Sequence, residues 1–103
     1  MKKDGFFEQV YALTKKIPKG KVTTYGQIAK KIRTKDARRV GHALHANPHK
    51  EVPCHRVVNK EGRVAENFAF NGPGEQVLRL KAEGVEFVSE YRVNLDKHLY
   101  ILC

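Results

Sequence analysis

Cysteine is nearly absent from this 103-residue chain: Cys54 and Cys103 are the only two. Two thiols cannot build a disulfide framework. Neither stands in a Cys-x-x-Cys pair or a Cys/His cluster with zinc-ligand spacing, so no structural metal is expected. Long apolar runs are missing as well, and nothing approaches the roughly 20 residues that a membrane-spanning helix needs. Met1-Lys2-Lys3 is followed by Asp4-Gly5, not by the apolar core of a signal peptide. A cytoplasmic protein with no membrane partner is expected. Acidic side chains are scarce, 11 Asp and Glu against 20 Lys and Arg, which leaves a net charge of +9. Tryptophan is absent altogether.

What is present suffices for one modest core. Hydrophobic residues make up 41% of the chain, with no low-complexity tract and no internal repeat, and residues 1–103 read as a single domain. The positive charge sits almost wholly in the first half: residues 1–50 hold 13 basic and 3 acidic side chains, residues 51–103 hold 7 and 8. Such a half-domain can neutralise phosphates and release their counterions, the usual basis of sequence-independent nucleic-acid affinity. Acidic substrates and anionic surfaces would answer to the same charge.

Phe6, Phe7, Val10, Tyr11, Leu13, Thr14 and Ile17 recur at helical intervals up to the stop Pro18-Lys19-Gly20. Thr24 stands three residues before Gln27, the capping-box spacing, and predicts a helix from Tyr25 to about Ile32 that buries Ile28, Ala29 and Ile32. Thr34 is expected to cap another helix from Lys35 to Ala46. Its stripe would be Ala37, Val40, Gly41 and Leu44, with Arg38, Arg39, His42 and His45 mostly off it, until Asn47-Pro48 ends it. Two short helices with arginines early in the second have the plan of a helix-turn-helix, a plan that any basic helical hairpin shares. Beyond it, Val52 to Val58 with a return strand at Arg63 to Ala65 fits a small β-hairpin. A helix follows from Glu75 to Glu83, ended by Gly84. Val85 to Val88 and Tyr91 to Val93 alternate like paired strands, and Leu99 to Leu102 is apolar enough to dock on the core.

Pro53-Cys54-His55-Arg56 is the sharpest chemical feature. A thiol becomes a nucleophile as the thiolate, which an adjacent base or positive field favours. Read alone, the tetrapeptide favours a small buried cysteine that fills core space over a reactive one. Cys103 has no such surroundings and reads as a bystander, and His42, His45, His49 and His98 read as surface groups.

The ordered segments 17–29, 37–44, 47–48, 53–58 and 82–84 together resemble the C-terminal domain of the O6-alkylguanine-DNA alkyltransferases, the methylated-DNA–protein-cysteine methyltransferases. The resemblance covers about residues 6–88. It implies an α+β, mainly helical, winged-helix-like domain with a helix-turn-helix and a small β-hairpin. Such a domain binds double-stranded DNA in the minor groove as a monomer, flips O6-alkylguanine out and transfers the alkyl group irreversibly to its own cysteine, in the cytoplasm at the nucleoid of a prokaryote. No cofactor is implied. Carried over by position, Cys54 resembles the acceptor, His55 the base acting through a water, Glu83 the carboxylate that orients His55, and Asn47 the brace of the reactive turn. Arg56, Pro53 and Val57 resemble structural members of the pocket. Tyr25, with Thr24 and Gln27 beside it, resembles the residue that turns the target phosphate. Arg38 resembles the finger that fills the space left by the flipped base, and the small residues Ala37 and Gly41 permit close approach to the groove.

Two departures from that pattern matter. Set against the resemblance, a chain of this length is expected to lack the N-terminal domain that full-length relatives carry. The glycine-rich turn around a pocket tyrosine is replaced by residues 64–72, where Phe68 best matches the tyrosine, and a wall lined by Phe68 or Phe70 would make the pocket more apolar. The chain also resembles the alkyltransferase-like proteins, non-enzymatic sensors that bind alkylguanine and recruit nucleotide excision repair proteins. Those carry tryptophan or another residue in place of the acceptor, whereas this chain keeps Cys54.

Overall fold

The computed structural model describes residues 5–65 and 72–102. In chain order the elements are α1 (Gly5–Lys15), β1 (Thr23–Thr24), α2 (Tyr25–Ile32), α3 (Ala37–His45), a 3₁₀ turn at Cys54–Arg56 and β2 (Val57–Val58), then α4 (Gly72–Ala82), β3 (Phe87–Ser89), β4 (Arg92–Val93) and α5 (Leu95–His98). The fold is mainly helical α+β, as the sequence predicts.

Helices α1, α2 and α3 pack on one another because each buries one stripe: Val10 and Thr14 from α1, Ile28 and Ala29 from α2, Val40, Ala43 and Leu44 from α3. Tyr11 fastens α1 to α3 by donating its hydroxyl to the Ala43 carbonyl at 2.9 Å. The Arg39 guanidinium lies over the Phe6 ring, 4.1 Å from its centroid. A second core gathers Val22, Val58, Val64, Val77, Leu80, Val85 and Val93. The seam between the two is β1 with β2, paired in parallel as Thr23 with Val57 and Thr24 with Val58. Successive strand residues face opposite ways, so Val57 enters the helical core and Val58 the second one. The reactive tetrapeptide runs directly into this seam.

Thr24 caps α2 as predicted, its Oγ1 accepting the Gln27 amide at 3.1 Å. The start of α3 does not follow the prediction. Asp36, not Thr34, caps it, its Oδ1 accepting the Arg39 amide at 3.0 Å. Thr34 is taken up by the end of α2: Arg33 turns left-handed (φ 72°) and the Thr34 amide bonds the Ala29 carbonyl at 2.9 Å. The expected hairpin from Val52 to Ala65 is also corrected. β2 pairs with β1, and Arg63 bridges to Arg92 instead, because Asn59 Oδ1 accepts the amides of both Glu61 and Arg63 at 2.9 Å and coils the segment between. The hairpin of the fold is β3 with β4, antiparallel. Helix α4 begins at Gly72, ahead of the expected Glu75, and ends at Ala82, one residue before the expected Glu83, with Gly84 (φ 89°) in the left-handed turn that stops it as predicted.

The segment after β4 is tied in more firmly than its apolarity suggests. Short α5 is unanticipated, and His98, read from sequence as a surface group, is buried. Its Nε2 accepts the Glu86 amide at 3.0 Å and its Nδ1 donates to the Gly20 carbonyl at 2.9 Å. Val22 bonds on both sides of this segment, to the His98 carbonyl at 2.9 Å and the Tyr100 amide at 2.7 Å. Tyr100 and Leu102 pack on the helical core as expected.

Gly62 is where backbone and packing together demand glycine. Its φ is 90°, and a Cβ there would lie 2.7 Å from the Val93 carbonyl oxygen. Gly62→Ala should therefore cost about 3 kcal/mol, combining left-handed strain with displacement of β4. Gly84→Ala meets nothing within 4 Å and should cost about 1 kcal/mol, the strain alone. Urea unfolding of both variants checks the ranking; equal losses would refute it.

Candidate active site and nucleic-acid face

The reactive turn is assembled from backbone first. The Cys54 amide bonds the Val52 carbonyl at 2.8 Å and the Arg56 amide the Pro53 carbonyl at 2.9 Å, winding residues 54–56 into a single 3₁₀ turn. Asn47, at the end of α3 and buried, clamps the approach. Its Oδ1 accepts the His49 amide at 2.8 Å, while its Nδ2 donates to the carbonyls of His49 (3.0 Å) and Val52 (3.4 Å).

Glu83, just beyond α4, then gathers two side chains of the turn. Its Oε2 accepts from His55 Nε2 at 2.9 Å and from Arg56 Nη2 at 2.8 Å, and its Oε1 accepts from Arg56 Nε at 3.0 Å. Arg56 Nη1 donates further to the Ile17 carbonyl at 2.8 Å. Arg56 is thus a tie between Glu83 and the end of the α1 segment. An ionised carboxylate only accepts, so the His55 proton is assigned to Nε2 and the lone pair to Nδ1. A histidine in this state is a base.

The electrostatics divide along the same lines. Burial pushes the Cys54 thiol up from its ordinary value, while a hydrogen bond with Asn47 and the Arg79 charge pull it back. Burial lowers His55, outweighing the pull of Glu83 in the other direction, so the ring stays neutral at neutral pH. Burial alone would raise Glu83, but the hydrogen bonds from Arg56 and His55 hold it below the usual carboxylate range. Tyr25 is pushed up to about 12 by burial first and by the charge of a Cys54 thiolate second, and its ring packs on the same helical core as Cys54.

The structure therefore brings together Cys54, His55, Arg56, Asn47 and Glu83, flanked by Pro53 and Val57, with Tyr25 adjoining. Arg38 and Ala37 lie apart from that cluster, in the first turn of α3, with Arg38 exposed. Gly41 lies against Tyr25: a Cβ on it would sit 4.0 Å from the Tyr25 ring. Phe68 and Phe70 lie outside the described residues. Lys30, Lys31, Arg33, Lys35, Arg38 and Arg39 are all exposed along α2, α3 and the turn between them, a local excess of positive charge of the kind that phosphates bind. A groove of about 350 Å³ is lined by Gln27, Lys30, Lys31, Arg33, Ile101 and Leu102. None of the reactive-turn residues lines it. Sequence reasoning missed Gln76 and Arg79 on α4; their spacing ahead of Glu83, at steps of three and four, was the signal available. Among the described residues there is no group of His, Cys, Asp and Glu able to hold a metal ion, and no helix long and apolar enough to cross a membrane.

Comparison with known proteins adds a family. The model of the 6-O-methylguanine DNA methyltransferase DNA-binding domain matches residues 5–85. Alkyltransferase-like protein 1 of Schizosaccharomyces pombe is 39% identical over 106 residues, covering 97% of this chain and 98% of its own. A crystal structure of S. pombe Atl1 in complex with damaged DNA containing O6-carboxymethylguanine superposes with a TM-score of 0.84 at 38% identity, again over 97% and 98% of the two chains. The methylated-DNA–protein-cysteine methyltransferase of Thermococcus gammatolerans is 43% identical over 83 residues, which are 79% of this chain and 45% of the longer protein.

Proposed function

The chain belongs to the family of the 6-O-methylguanine DNA methyltransferase DNA-binding domain, and from that premise we propose that it takes O6-alkylguanine out of duplex DNA and accepts the alkyl group on Cys54. The observation that carries this reading is the Cys54 turn with a neutral His55 behind it, oriented by Glu83 at 2.9 Å. Adjacent residues of a 3₁₀ turn diverge by about 120°, so Nδ1 reaches the thiol through a bridging water. The thiol proton passes to His55, the sulfur forms a bond to the alkyl carbon, and the carbon–O6 bond breaks. Guanine leaves with its electron pair and takes up the proton. Because Cys54 is only 6% exposed, a stacked base could not reach it, and extrusion of the nucleotide is required.

The other residues take supporting roles. Tyr25 and the start of α2, with Thr24 and Gln27, meet the phosphate of the target nucleotide. Ala37 and Gly41 let α3 approach the minor groove, and Arg38 enters the duplex. Asn47, Arg56, Pro53 and Val57 hold the turn. Nothing converts the thioether back to the Cys54 thiol, so each molecule acts once. DNA in the cytoplasm, at the nucleoid, is the place of action.

A second reading, a lesion sensor that binds without reacting and hands the site to excision repair proteins, is favoured by the end-to-end match to an alkyltransferase-like protein and by the upward push of burial on the thiol. Intact-mass and peptide mass spectrometry after incubation with a duplex containing O6-methylguanine separates the two. One added methyl group on the Cys54 peptide is the expected result. Tight lesion binding with no change of mass would transfer the assignment to the sensor.

A further inference from the structure

Glu83 stands at the very end of its helix: α4 closes at Ala82, the Glu83 amide bonds the Leu80 carbonyl at 3.0 Å, and the chain then turns away through Gly84 (φ 89°). A carboxylate on a helix terminus is placed only as firmly as the turn that carries it. Terminal backbone groups lack their full set of intrahelical bonds, so other segments must hold that turn. From the front, Arg56 grips the carboxylate and also donates to the Ile17 carbonyl at 2.8 Å. Ile17 opens the tight turn to Gly20, which the bond from the Lys21 amide to the Pro18 carbonyl closes at 3.1 Å. Gly20 then packs on the Glu83 backbone, where a Cβ on it would lie 3.3 Å from the Glu83 carbonyl oxygen.

From behind, one ring joins the two ends of this arrangement. His98 Nδ1 donates to the Gly20 carbonyl at 2.9 Å, and its Nε2 accepts the amide of Glu86, on the far side of the Glu83 turn, at 3.0 Å. The residue is only 7% exposed. Bonds and chain thus close a loop around the carboxylate, running from His98 through Gly20, Ile17, Arg56, Glu83 and Glu86 back to His98. We propose that His98 is a positioning residue of the reactive site: by fixing Gly20 and Glu86 together, it sets where the Glu83 carboxylate stands and so keeps His55 in the tautomer whose Nδ1 is a base. Neutral imidazole suits the task, because one rigid plane presents a donor and an acceptor on different edges. His98 lies outside the residues 5–85 that match the family model, so this support comes from the segment after β4. The proposal rests on the reading of the Cys54 turn as the reactive site and deepens it.

Two readouts are taken on the full chain. Long-range proton–nitrogen NMR correlations report which ring nitrogen of His55 carries the proton. Single-turnover kinetics on a duplex containing O6-methylguanine, with protein in excess, report transfer separately from lesion affinity. In the wild type, His55 should show one tautomer, protonated at Nε2. His98→Ala should mix the two tautomers and slow transfer about tenfold, as a small misplacement by a change far from the chemistry does, with lesion affinity unchanged. His98→Asn keeps the arm to Gly20 and His98→Gln the arm to Glu86; each should fall between wild type and His98→Ala, and the two carry the test should His98→Ala not fold. A merely structural role would lower the urea midpoint while leaving the His55 signals and the transfer rate of the folded protein as they are, and that result overturns the proposal. A wild-type protein that binds the lesion and transfers nothing overturns the transfer reading alone. The His55 signals then still decide the role of His98: loss of the single tautomer on substitution upholds it, and retention overturns it.

Discussion

Glu83→Gln should slow alkyl transfer by about two to three orders of magnitude, the span over which a positioned base contributes, and should also weaken the fold. The two effects have one origin. Glu83 accepts three hydrogen bonds, two from Arg56 and one from His55, in a region where the side chains concerned are only 12–16% exposed. Removing the carboxylate leaves the Arg56 charge without its counterion, a change that costs about 3–5 kcal/mol for a fully buried pair. Glutamine keeps one acceptor, so about 2 kcal/mol is expected, read as a lowered urea midpoint at unchanged slope. Glu86→Gln is the control: its pair with Lys97 is more than half exposed on both sides and should affect neither rate nor stability measurably. An E83Q protein with wild-type transfer kinetics would remove Glu83 from the mechanism.

The pH dependence has a definite sign. Glu83 is held below the usual carboxylate range in the folded chain, so its stabilisation is complete above the ordinary value of about 4.3 and is lost as pH falls through the folded value. His55 is also lowered. From about pH 6.5 downward the unfolded chain takes up a proton that the folded chain refuses, and stability erodes there as well. Wild-type stability should therefore decline from about pH 6.5 downward through His55 and decline further below about pH 4.3 through Glu83, and E83Q should lack the part below about pH 4.3.

Arg38→Ala should weaken binding to O6-methylguanine in duplex DNA by about 30-fold while leaving reaction with free O6-benzylguanine unchanged. Unstacking a base costs a few kcal/mol, and a finger that occupies the vacated space returns part of it, about 2 kcal/mol here. A free base presents nothing to fill. Position selects Arg38 over its neighbour, since Arg39 is already committed to the Phe6 ring of α1, whereas Arg38 is exposed in the first turn of α3. Arg39→Ala should therefore lower thermal stability. Anisotropy on the duplex and mass spectrometry with the free base supply the comparison. Equal losses on both substrates would contradict the finger role.

The helical half was legible because its signals are local. The Thr24–Gln27 cap and the Val40–Leu44 stripe are each confined to one or two turns, where period and capping chemistry act directly on the backbone. The parallel pairing of Thr23–Thr24 with Val57–Val58 was not legible: two-residue strands carry no readable alternation, and their partners lie across the α2–α3 crossover. His98 misled for a related reason. A histidine is read as exposed unless something nearby claims it, and its two bonds go to backbone atoms of Gly20 and Glu86 that no side-chain pattern reveals. At the site, residue types alone marked Cys54 and His55, and family resemblance supplied Glu83. The join of Arg56 to the Ile17 carbonyl and of Gln76 to three backbone groups depends on tertiary position alone.

The two-sided bonding of Val22 bears on how the protein is made. A chain emerges from the ribosome with its N-terminal side first, and α1, α2 and α3 need only near neighbours to begin associating. Gly20, however, meets its partner His98 only after 78 further residues have been added, and Val22 stays unpaired on that side until Tyr100 follows. The basic three-helix half thus passes most of its synthesis with an open β edge beside a forming core. Folding is completed after translation has passed residue 100, and closure of this long loop, rather than helix formation, sets its rate.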